Sequence, residues 1–172
     1  MNFEIKHTFD APRAKIEEAL LSSDYLQFVL ENHGVLLEVE VKERTENERE
    51  VRRKVRYRPQ PVIKSIGPKN VPPEWFAFVE DSTFSKSTRT FTFKNIPTSG
   101  KIDRMLINRG TITLRELGPN RTERVVAGEL KLDLPFMLKP LAMIGERVIH
   151  GEAVKLLDGE AVVMNKWLAK DK

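Results

Sequence analysis

One charged side chain lies where an alternating strand pattern expects an apolar one, and such a group could bind a ligand. The segment EVRRKVRYRP spans Glu50–Pro59. If it is a strand, Arg53 shares a face with Val51, Val55 and Tyr57, because side chains alternate with period two. A buried guanidinium requires a carboxylate or an anionic ligand, since a lone buried charge loses its hydration. Arg53 is therefore a candidate for binding an anionic group.

The sequence leaves two other interpretations of Arg53 open. The first is an internal ion pair, for example with Glu129 or Glu152. The second is a position at the rim of the sheet, from which the guanidinium reaches water while its methylene groups stay covered.

The opposite face of the same segment carries four cations: Arg52, Lys54, Arg56 and Arg58. No aromatic residues interleave with them, and the chain has no nucleic-acid-binding motif. The net charge of +4 comes from 29 basic and 25 acidic residues, which is a mixed surface and not a polybasic one. The row therefore predicts a solvated strand face and no nucleic-acid partner.

Other polar residues share parity with apolar strand positions, and together they could form the polar end of an apolar pocket. Each could also be a hydrogen-bonded core residue or an edge residue. With the apolar neighbours and three positions of the C-terminal helix, the predicted ligand contacts are His7, Arg53, Tyr57, Arg89, Phe91, Phe93, Asn108, Val148, His150 and Gly151.

Motifs for catalysis and metal binding are absent from the sequence. Its three histidines lack metal-binding spacing, and there is no HExxH, GxSxG, phosphate-binding loop or dinucleotide fingerprint. The absence of cysteine excludes disulfides and thiolate sites. We expect no metal and no cofactor, while an acid–base pair such as His7 with Glu152 stays open.

Length and composition predict one domain over residues 1–172, with 40% hydrophobic residues to build its core. FEIKHTF alternates as a strand, and DAPRAKIEEALLSSDYLQFVLEN predicts two short helices or one broken helix. A hairpin around residues 45–48 and three later alternating runs, beginning at STRTFTFKN, predict an antiparallel sheet.

From residue 138 the spacing predicts one long amphipathic helix. Its three internal glycines indicate either a cavity beside the helix or close packing.

The stretch 59–81 contains five prolines, which exclude a central strand or a long helix there. Irregular segments of this length are typical of functional lids. Its aromatic residues Trp75, Phe76 and Phe78 are predicted to contact a membrane interface. Alternatively, they fold inward and fill the core.

This order of elements, with the opening FEIKHTFDAP, resembles the helix-grip fold of the START-related superfamily, also called SRPBCC. The chain looks most like an uncharacterised bacterial branch of it. A fainter likeness to the PRELI/MSF1 phospholipid-transfer proteins rests on His7, Phe9, Pro73 and Trp75, and on VEDS and TFTFKN. The resemblance implies an α+β fold in which a curved antiparallel sheet of about six or seven strands wraps around the C-terminal helix. It also implies a hydrophobic ligand in the cavity between them.

We therefore expect binding, and as its extension intermembrane transfer, of a lipid or other hydrophobic ligand whose anionic head is oriented by Arg53, Arg89 or His7. The alternatives are a cyclase or hydratase that uses His7 or His150, and a protein-interaction adaptor; the residues favour binding over catalysis. The first twenty residues lack an apolar core, and no run reaches the length of a membrane span, which predicts a cytoplasmic protein with peripheral membrane contact. The sequence does not fix the oligomeric state.

Overall fold

The computed structural model describes residues 1–61, 65–66, 68–70, 73–99 and 105–170. Over these residues the elements are β1 Asn2–Phe9, α1 Arg13–Leu21, α2 Ser23–Asn32, β2 Leu36–Glu46, β3 Glu50–Pro59, β4 Ser65–Ile66, β5 Lys69–Asn70, β6 Phe78–Ser85, β7 Thr90–Pro97, β8 Leu106–Gly118, β9 Arg121–Leu132 and α3 Lys139–Leu168. Short 3-10 helices span Pro73–Phe76 and Phe136–Leu138.

The main sheet has seven strands in the order β1-β9-β8-β7-β6-β3-β2, and every neighbouring pair is antiparallel. The short strands β4 and β5 pair only with each other within the described residues. The predicted α+β class, the antiparallel sheet and the long C-terminal helix are confirmed.

The region between β1 and β2 forms two helices, which settles one alternative that the sequence left open. Ser22 ends α1 and also caps α2, because its Oγ accepts hydrogen bonds from the backbone N–H groups of Asp24 at 3.1 Å and Tyr25 at 3.3 Å. A serine at this position satisfies donors that the first turn of a helix leaves free.

The sequence analysis missed strand β6, which lies between β3 and β7 in the middle of the sheet. The prediction of a lid over residues 59–81 was wrong from Phe78 onward, where β6 begins. The inward positions Glu80 and Ser82 are polar, so the segment lacks the apolar alternation by which strands are detected. The side chain of Trp75, assigned to the lid, lies outside the described part of the structure.

Helix α3 packs unevenly along its length. Its C-terminal half joins α1, α2 and β1 in a buried cluster that contains Phe9, Ile16, Tyr25, Val29, Leu114 and Met164. Its N-terminal half and the preceding 3-10 helix leave large apolar side chains exposed: Phe136, Met137, Met143, Ile144 and Val148. None of the described helices is long and apolar enough to cross a bilayer.

Two glycines of α3 are explained by close packing. A Cβ on Gly145 would lie 2.6 Å from Cδ1 of Leu132, and a Cβ on Gly159 would lie 2.7 Å from Cε1 of His33. A side chain at either position would require Leu132 or His33 to move. Gly151 has open space where its Cβ would be.

Candidate ligand site

The strand register places a row of polar residues on the inner face of the sheet, the face that carries α1, α2 and α3. Glu80 of β6 pairs with Val55 of β3 on one side and with Asn95 of β7 on the other. One pair along, Tyr57 lies opposite Phe78, and their rings stack with centroids 5.4 Å apart. We call Tyr57, Glu80 and Asn95 the polar belt.

Among the described residues, none forms a hydrogen bond with a side chain of the polar belt. Oδ1 of Asn95 is buried without a hydrogen bond. The nearest cation to Glu80 is Nη2 of Arg53, 3.7 Å from Oε1, which is beyond a normal hydrogen bond. The Tyr57 hydroxyl makes no hydrogen bond to the described residues. Burial, and secondarily the carboxylate of Glu80, raise the pKa of Tyr57, so its phenol stays protonated and remains a donor.

An apolar cluster lies next to the belt, because Phe93 of the cluster precedes Asn95 by two positions on the same face of β7. Ile5, Phe93 and Val126 are buried, whereas the residues packed against them remain partly exposed: Phe3, Ile112, Val154 and Leu157. The main packing of α3 within the described chain is against β1, β9, α1 and α2. Val154 and Leu157 of α3 also pack against the cluster of Phe93 on β7, while β3 and β6 lie farther along the sheet from the main contacts of the helix.

Arg53 lies on the inner face of β3, with its side chain 10% exposed. Its Nη1 donates to the carbonyl oxygen of Leu20 at 2.7 Å, and Glu80 compensates its charge. The ion-pair interpretation is therefore the correct one, but Glu129 and Glu152 are not the partners, because each binds a cation elsewhere.

Arg89 does not lie on the inner face of β7, contrary to the prediction. It precedes the strand in a turn with φ of 52°, which breaks the parity that it would share with Phe91. Its Nε donates to Oε2 of Glu17 on α1 at 3.0 Å. Arg89 therefore links the turn before β7 to α1 and is separate from the belt.

His7 belongs to a second polar group, which we call the buried network: His7, Tyr25, Arg124, Asp158 and Glu160. Nη2 of Arg124 donates to Nδ1 of His7 at 3.1 Å, so the proton of the ring is on Nε2, which donates to Oδ1 of Asp158 at 2.8 Å. Both ring nitrogens are engaged. The predicted roles of His7 in catalysis with Glu152 and in orienting an anionic head are therefore not supported by its contacts.

Glu160 of α3 completes the buried network. Its two oxygens accept hydrogen bonds from Nη1 of Arg124 and from the hydroxyl of Tyr25. Arg124 is 2% exposed and also lies over the ring of Phe9, with Cζ 5.3 Å from the centroid. Burial and the Glu160 carboxylate raise the pKa of Tyr25. The network connects β1 and β9 to α2 and α3.

The other predicted contacts lie at different places around the inner face. Phe91 is buried against Phe84, with ring centroids 4.5 Å apart, and Asn108 lies on β8 opposite Leu130. His150 is half-buried, and its ring centroid is 5.9 Å from that of Phe3. Val148 is 47% exposed on α3.

Sequence reasoning missed Glu80, Asn95, Arg124 and Glu160. The alternation of the strands could have identified two of them. Asn95 shares a strand face with Phe91 and Phe93, and Arg124 shares one with Val126. Glu80 was not identified because strand β6, on which it lies, was not predicted. Glu160 is one of many charged residues on an amphipathic helix, and nothing in its spacing distinguishes it.

A family described as "Protein of unknown function (DUF2505)" matches residues 4–168 of the chain. A comparison with curated proteins finds no significant match.

Several solved structures are similar to this chain over nearly its whole length. TTHA0849 from Thermus thermophilus has 15% identity and a TM-score of 0.67, with 100% of both chains covered. The Zhui aromatase/cyclase from Streptomyces sp. R1128 has 15% identity and a TM-score of 0.63, covering 94% of this chain and 91% of that one. A START superfamily protein from Mycobacterium smegmatis has 10% identity and a TM-score of 0.53, covering 99% of each. These similarities show that the fold is the START-like helix-grip fold, as predicted.

Proposed function

The chain belongs to the DUF2505 family, and we propose that it binds a hydrophobic small molecule between the inner face of the sheet and α3. One observation carries the proposal: aromatic and aliphatic side chains on the inner faces of the strands remain partly exposed, among them Tyr57, Phe78 and Ile112. Covering apolar surface is worth about 25 cal/mol per Å². A ligand in this place would extend the packing of α3 from β1, β9 and the Phe93 cluster to the neighbouring strands.

Binding is tested with Nile red, an uncharged apolar dye, and with native mass spectrometry of the purified protein. We expect saturable dye binding and a co-purified molecule that organic extraction releases. Phe78→Ser should weaken dye binding several-fold, because it removes the ring stacked on Tyr57. Phe136→Ser is the matched control, since Phe136 is 83% exposed on the surface. An equal effect of both variants, or no uptake at all, would overturn the proposal.

Transfer of the ligand between membranes would require a membrane-contacting surface. We propose that the exposed apolar residues Phe136, Met137, Met143 and Ile144 form it, in place of the predicted lid aromatics. Phe78 is a strand residue stacked on Tyr57, so it cannot contact a bilayer as part of a lid. Lys139 lies 5.6 Å from the ring of Phe136, which places a cation beside the apolar surface and suits anionic lipid.

Membrane contact is measured by flotation with vesicles that contain an anionic phospholipid. The double variant Phe136→Asp and Met137→Asp should lose vesicle binding and keep Nile red binding. Leu117→Asp, which changes another exposed apolar residue in β8, should affect neither. Vesicle binding that survives the double variant would exclude this surface.

A further inference from the structure

We propose that the polar belt selects hydrophobic ligands whose polar end donates hydrogen bonds, an alcohol or an amine, over ligands that end in a carboxylate or phosphate. The inference rests on the proposed function and names the chemical class of its ligand. It reverses the anionic head group that the basic residues of the sequence suggested.

The buried belt atom that lacks a hydrogen bond is an acceptor. Oδ1 of Asn95 is buried without a donor, and the Glu80 carboxylate has no hydrogen bond from the described residues. A buried acceptor without a partner is costly, because it has lost its water and gained nothing in return. A ligand O–H or N–H placed between Glu80 and Asn95 could donate a hydrogen bond to the acceptor of either residue.

Tyr57 adds a group that suits the same ligands. Its hydroxyl is free to donate to the oxygen of an alcohol, and it can also accept from an amine. The three residues come from adjacent strands β3, β6 and β7, so the sheet itself fixes their spacing. A rigid strand platform orients a head group better than a loop does.

The inner-face cations that would attract an anion are already compensated. Arg53 faces Glu80 and donates to the carbonyl oxygen of Leu20. Arg124 is bound by Glu160 and His7. A ligand carboxylate beside Glu80 would meet a like charge, while the cation nearest to that charge, Arg53, already faces Glu80.

The experiment compares a straight-chain alcohol, amine and carboxylic acid of equal carbon chain length as competitors of bound Nile red at neutral pH. The amine and the acid each carry one charge, so their comparison separates the sign of the charge from the cost of removing it from water. We expect the alcohol and the amine to displace the dye at concentrations at least about tenfold lower than the acid, as one hydrogen bond to a charged group predicts.

Two variants assign the selectivity to the belt. Asn95→Leu should weaken the alcohol about tenfold and leave the acid unchanged. Its melting temperature should not fall, because the change removes an unsatisfied acceptor. Asn2→Leu, at an exposed position of β1, is the matched control. Glu80→Gln should abolish the preference for the amine and tighten the acid, because Arg53 loses its counter-charge.

A control for Glu80→Gln is available on the outer face of the sheet. Glu123 lies 3.7 Å from Nη1 of Arg115, the same separation as in the inner pair, and its side chain is 21% exposed against 20% for Glu80. Glu123→Gln should leave the displacement of the dye by all three compounds unchanged.

The outcomes separate the two proposals. If the wild-type protein binds all three compounds equally, or the acid most tightly, the head-group inference is overturned and the proposed function stands. If Glu80→Gln and Asn95→Leu leave the selectivity intact, the belt is not its source. If neither the dye nor any of the compounds binds, the proposed function itself fails.

Discussion

The buried network and the polar belt occupy the same inner face of one sheet, yet they differ in how their polar atoms are paired. In the network, Arg124 and Glu160 bind each other, Nη2 of Arg124 donates to His7 and Glu160 accepts from Tyr25, and the one buried atom of Arg124 without a hydrogen bond is Nε. In the belt, Asn95 has an acceptor without a donor, and Glu80 has only a distant cation. Parity within a strand places both groups inward and does not distinguish them.

The difference indicates two uses of inward polar residues. Where strands and helices bring complementary groups together, the polar side chains hold the elements in place. Where strands lie farther from the helix, the proposed function assigns the polar side chains to ligand binding. Substitutions in the two regions should therefore act on different properties, stability in one and binding in the other.

The largest contrast is expected from Arg124→Met. It leaves the Glu160 carboxylate buried without its cation, and breaking a buried pair in this way costs about 3–5 kcal/mol. Arg109→Met is the control, because Arg109 is 64% exposed and its ion pair with Glu129 should contribute less than about 1 kcal/mol. Urea unfolding measures both. Equal losses would show that the network does not stabilise the fold.

The two tyrosines of the chain allow a closer comparison at neutral pH. Tyr25→Phe removes a hydrogen bond to the Glu160 carboxylate, so the free energy of unfolding should fall by about 1.5–3 kcal/mol. Tyr57→Phe removes a hydroxyl without a described partner and should change stability by less than about 0.5 kcal/mol. It should instead weaken binding of the alcohol. If Tyr57→Phe were the more destabilising change, the belt would be structural.

Alkaline pH should destabilise the protein through the same two residues. Burial raises the pKa of both phenols, so the folded protein keeps protons that the unfolded chain releases near pH 10. The contribution of the two phenols to the free energy of unfolding is therefore fully present below about pH 10. It falls as the pH rises above this value, by about 1.4 kcal/mol for each tyrosine per pH unit.

Ultraviolet absorbance reports phenolate directly, and each Tyr→Phe variant should lower the slope of stability against pH by about 1.4 kcal/mol per pH unit. Phenolate that forms in the folded protein near pH 10 would show that the environment of the two side chains does not raise their pKa values.

The sequence was sufficient for six of the seven main strands, for the long helix and for the inward position of Arg53. These features depend on local periodicity, which the chain displays clearly. The pairing of Arg53 with Glu80, and not with Glu129 or Glu152, depends on strand order, which parity does not contain. The positive φ at Arg89 and the uneven coverage by α3 are also decided by tertiary packing. Two of the three belt residues, Glu80 and Asn95, were missed because polar residues at such positions are common in ordinary strands and loops.

The pairing of β1 with β9 has a consequence for how the chain folds. It joins backbone groups as far apart as Met1 and Leu130, which are separated by 129 positions. The strands of the belt, β6 and β7, follow one another and can pair early, since short loops close at low entropic cost. Strand β1 cannot pair until β9 is present. We expect docking of β1, with the His7–Arg124 contact that accompanies it, to be a late and slow step. A newly made chain would therefore order the strands of the belt before β1 pairs with β9.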